Sequence, residues 1–99
     1  MALAREHYGE VRLFVCSDHG MATVKHTVDI GSRIDALGLS EGRDFIVTYD
    51  STMARFWFYS DEARRRITAL LNTIPEGRIL PEDELAALGC DFDGRQYGE

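Results

Sequence analysis

The chain has 99 residues, of which 44% are hydrophobic and 28% charged, a balance that fits one globular unit with a modest core. Seventeen acids against eleven Lys and Arg leave a formal charge of −6, which argues against nucleic acid or an anionic membrane as a partner. No apolar run is long enough to span a bilayer and residues 1–10 lack the core of a signal peptide, so no membrane partner and a cytoplasmic location are expected for this segment.

Residues 2–8 suit a short helix closed by Gly9, with His7 solvated at its end. Residues 11–16 follow as a near-continuous apolar run broken only by Arg12, the pattern of a strand buried on both faces. That run ends in Ser17-Asp18-His19-Gly20-Met21. In open α/β sheets ligands gather beyond the carboxyl ends of strands, where Asp18 and His19 would lie. A carboxylate oxygen beside an imidazole nitrogen suits zinc or manganese, and Gly20 supports the loop by allowing a sharp turn. Two ligands do not complete a site, and on spacing alone the same triplet also reads as a polar turn with an exposed histidine.

Residues 24–30 have the β-branched composition of a strand. Ser32 with Asp35 resembles a capping box, opening a short helix that buries Ile34 and Leu37 and stops at Gly38. Strands are expected over 44–49 and 53–59, joined by a polar turn into a hairpin. Alternation puts Ala54, Phe56 and Phe58 on one face, and their role is read as packing rather than base stacking. Ser60 is the N-cap of the clearest helix, with Asp61 and Glu62 in its first turn. Ala63, Ile67, Leu70, Leu71 and Ile74 form its apolar face, while Arg64, Arg65 and Arg66 lie largely off it. Residues 78–80 suit a last short strand, and a helix beginning with Pro81 ends at Gly89. Cys16 and Cys90 have no metal-type spacing and read as reduced, mostly buried thiols. From 24 to 80 the order is βαββαβ, that of a ferredoxin-like α+β unit.

The run Phe14-Val15-Cys16-Ser17-Asp18-His19-Gly20-Met21 resembles the strand-plus-SDHGM signature of the type I phosphodiesterase/nucleotide pyrophosphatase group of the alkaline phosphatase superfamily. The resemblance covers about eight residues. It implies that Asp18 and His19 ligate one of two catalytic ions, a divalent metal with zinc ahead of manganese, in an enzyme that cleaves phosphate esters. The family's Thr or Ser nucleophile, its further Asp and Asp-x-x-x-His ligands and its last His have no counterpart in this chain. No catalytic residue is therefore assigned here, and the chain reads as a piece of a larger phosphohydrolase acting on phosphodiester or pyrophosphate bonds. Residues 1–23 would be a core strand and metal loop of an alkaline-phosphatase-like α/β domain. Residues 24–88 would be a ferredoxin-like insertion or cap, and 89–99 an acidic connecting tail. The competing reading is a free-standing ferredoxin-like module that binds a ligand or partner. Exposed strand edges, above all residues 11–16, also offer a route to a homo-oligomer.

Overall fold

The computed structural model describes residues 2–98. It is a small α+β chain: α1 (Ala2–His7), α2 (Ile30–Asp35), β1 (Phe45–Tyr49), β2 (Ala54–Phe58), α3 (Asp61–Leu71) and α4 (Glu82–Ala87), with a 3-10 turn at Asp93–Arg95. The two strands form one antiparallel sheet with Phe45 opposite Phe58 and Val47 opposite Phe56. The radius of gyration is 20.9 Å, against about 13 Å for a compact chain of this length. The excess follows from residues 9–29, which contain no helix or strand.

The core lies between the hairpin and two helices. Ile34 of α2, Phe45 of β1, Phe56 of β2 and Ile67 of α3 are buried together, and Leu37, Val47, Phe58 and Leu70 pack around them. Period-two alternation brings this about: Ala54, Phe56 and Phe58 face the helices, as expected, while Arg55 is exposed. Phe56 and Phe58 stack 5.8 Å apart on that face. The α3 N-terminus is held as the sequence predicts, with the Ala63 N–H donating to Ser60 Oγ at 3.1 Å. Ala63 and Ile67 are fully buried and Ile74 nearly so. Arg66 reaches from α3 to the Leu37 carbonyl and so closes the end of α2.

At the other end of the chain, α4 stops in a paired motif. Gly89, at φ +69°, donates to the Ala86 carbonyl, and Cys90 donates to the Leu85 carbonyl at 2.8 Å. Gly89 thus terminates the helix as predicted. Pro81 is its N-cap residue rather than its first helical residue.

Several expectations are corrected. Residues 11–16, 24–30 and 78–80 form no strand among the described residues, which leaves two strands instead of the four of a βαββαβ unit. A strand satisfies its backbone through a neighbour, and 11–16 has none here: Leu13, Phe14 and Val15 are exposed. Residues 24–30 end differently because Asp29 caps α2, which makes Ile30 helical. The capping box expected of Ser32 and Asp35 is replaced by that Asp29 cap, which accepts from both the backbone and the hydroxyl of Ser32. Cys16 and Cys90 are free, but both are exposed rather than buried. No helix among the described residues is long and apolar enough to cross a membrane.

Candidate functional site

Asp18 and His19 stand in the extended segment, 88% and 71% exposed, with His19 Nε2 3.6 Å from Asp18 Oδ1. The loop that holds them is tied by its own backbone: Ser17 Oγ donates to the His19 carbonyl at 2.6 Å, and His19 Nδ1 lies 2.9 Å from the Gly20 carbonyl. A carbonyl oxygen only accepts, so Nδ1 donates in this contact and Nε2 is the ring atom turned toward Asp18. A backbone carbonyl on one ring nitrogen fixes which way the other nitrogen points.

Nε2 and the carboxylate oxygen of this exposed pair are 3.6 Å apart, within ion-pair range but beyond a hydrogen bond. Zinc bonds of roughly 2.0–2.2 Å at a tetrahedral angle would hold the two donors about 3.4 Å apart, so the observed separation suits one ion. Gly20 contributes through its carbonyl; a Cβ at that position would meet nothing within 4 Å. Sequence order predicted the pair as neighbours, and the fold brings no third ligand to it: no group of three or more His, Cys, Asp or Glu able to hold a metal occurs among the described residues. His26 lies elsewhere, on the wall of a groove that includes neither Asp18 nor His19.

That groove, of about 1260 Å³, is lined by residues 23–31, by the hairpin turn and most of β2, by part of α3 and by residues scattered from 74 to 98. Val24, Val28, Phe56, Ile79, Leu88 and Tyr97 are among its lining residues. Arg55 lies over the Tyr97 ring, 5.5 Å from its centroid, and Phe92 meets Tyr97 at 4.6 Å. Nothing in the local pattern of residues 90–98 signalled this surface, because it arises from a long-range placement of the tail against β2. Beside the hairpin's closed end, partial burial raises the Tyr49 phenol above its ordinary value, and the carboxylates of Asp35, Glu41 and Asp29 add to that shift.

No protein-family model, curated protein or solved structure matches the chain.

Proposed function

We propose that these 99 residues are a segment of a metal-dependent phosphohydrolase of the type I phosphodiesterase/nucleotide pyrophosphatase group, cleaving phosphodiester or pyrophosphate bonds. Asp18 and His19 are two of the ligands of one divalent ion, zinc ahead of manganese. The observation that carries this reading is the convergence of His19 Nε2 and Asp18 Oδ1, with Nδ1 hydrogen-bonded to the Gly20 carbonyl. In such enzymes a pair of cations stabilises the attacking and leaving oxygens and neutralises charge on the phosphoryl group. The nucleophile and remaining ligands belong, on this reading, to parts of the protein outside residues 1–99. The 99-residue chain alone then hydrolyses nothing.

In the same reading residues 24–88 form a substrate-selecting cap whose ferredoxin-like sheet is completed when segments 24–30 and 78–80 pair. Its support is that the mainly β-branched 24–28 stretch lines the same groove as β2. Exposed strand edges would pair with other parts of the longer protein or with a second copy.

The test is hydrolysis of a chromogenic phosphodiester by the longer protein, recovered from the coding sequence on either side of this segment. Asp18→Asn and His19→Gln should each lower kcat/KM by more than about 100-fold, the upper end of what losing a mere supporting group costs. A natural reading frame confined to residues 1–99, or full activity in both variants, would sink the reading.

A second reading, a free-standing ligand- or partner-binding module, draws on the core of residues 30–74, which closes without any contribution from residues 9–29. It expects no metal dependence, and wild-type stability in both variants would agree with it only if zinc also left the His19 resonances unmoved.

A further inference from the structure

The sheet has an edge that is already occupied. The Asp50 N–H donates to the Met53 carbonyl and the Tyr59 N–H to the Asp44 carbonyl. With the register of Phe45 opposite Phe58, these bonds make Ile46/Trp57 and Thr48/Arg55 the hydrogen-bonded pairs between β1 and β2. The N–H and C=O groups of Ala54, Phe56 and Phe58 therefore point away from β1, toward the outer edge. Gly98 sits against them. A Cβ added to it would lie 3.0 Å from the Phe56 carbonyl oxygen and 3.2 Å from the Phe56 nitrogen, at a φ of +100°. Tyr97 is anchored under Arg55 and against Phe92. Residues 92–98 are thus a strap that meets β2 at Arg55 and Phe56, on the edge where a third strand would hydrogen-bond.

A claimant to that place lines the same groove. Residues 24–28 are in no helix or strand, and among the described residues 24–27 enter no backbone–backbone hydrogen bond. Val24 is exposed, and the segment supplies Val24, Thr27 and Val28 as β-branched side chains. A third strand would satisfy the outward backbone groups of β2, which the helices packed on its face leave unpaired. We infer that residues 92–98 and residues 24–28 compete for the outer edge of β2, so that release of the strap lets 24–28 add to the sheet as its third strand. The pairing would also draw Asp18 and His19, a few residues upstream, toward the end of the sheet. That last consequence rests on the metal reading; the exchange of strands does not.

The test uses two variants of the full 99-residue chain. Gly98→Val cannot keep its φ or its approach to Phe56, and Phe92→Ala with Tyr97→Ala removes the anchors without adding atoms. Hydrogen exchange and NOE spectra of isotope-labelled protein give the readout. The expected result is that the amides of Ala54, Phe56 and Phe58 exchange about tenfold or more slowly than in the wild type. Backbone NOEs between 24–28 and 54–58 should emerge with that protection. Amides that exchange as fast as before or faster, with no such NOEs, overturn the proposal, and the double variant decides alone if Gly98→Val fails to fold. Zinc binding is measured separately, so a failed metal reading and a failed strand exchange are distinguishable.

Discussion

The Asp29 carboxylate accepts from the Ser32 backbone N–H at 3.0 Å and from the Ser32 hydroxyl at 2.6 Å. Those bonds, the hydroxyl's first, hold its carboxyl below the ordinary value of 3.8. Arg43 does the same for Asp44, aided by the Ser40 N–H, and Arg78 does it for Glu84. A carboxyl whose folded pKa is depressed contributes stability above its unfolded pKa and loses it as pH falls through the folded value. Thermal melts followed by circular dichroism should therefore be flat above about pH 5 and decline toward pH 2. The slope should be shallow, because all three groups are in contact with solvent and screened. Asp44→Asn should remove part of that decline, and a melting temperature independent of pH down to 2 would contradict the assignment.

Elements whose determinants are local were legible in the sequence. The hairpin was visible because alternation and a polar turn are short-range signals, and α3 because Ser60, Asp61 and Glu62 mark its start. Ser60→Ala should cost about 1 kcal/mol, the usual loss for an N-cap serine, measured by urea denaturation of the wild type and the variant. A change well below that would mean Ala63 finds another acceptor. Residues 11–16, 24–30 and 78–80 carry strand composition, yet composition supplies no neighbour, and a ladder is a property of two segments. The α2 start lies earlier than composition suggests for a related reason: the Asp29 side chain accepts two bonds from Ser32, and such a cap competes with extended backbone. At the candidate site, adjacency made Asp18 and His19 readable. The Nδ1 contact to the Gly20 carbonyl was not, since it depends on how the loop turns.

For the molecule as a whole the decisive feature is uneven order along the chain. Residues 9–29 are without helix or strand and almost wholly exposed, whereas the core of residues 30–74 buries Ile34, Phe45, Phe56 and Ile67. Limited trypsin digestion should cut first after Arg12 and Lys25, leaving a resistant fragment that contains α2 to α3, as read by mass spectrometry. First cleavage at Arg64 or Arg65 would show instead that α3 opens before the linker is reached. The same feature has a mechanical meaning. Residues 12–22 behave as a slack cord, not a lever: exposed and without helix or strand, they carry no push from the hairpin to the Asp18–His19 pair while residues 24–28 stay off the sheet. Substitutions in residues 12–22 and in the core of residues 30–74 should therefore have additive energetic effects, so that either part can vary without trading against the other.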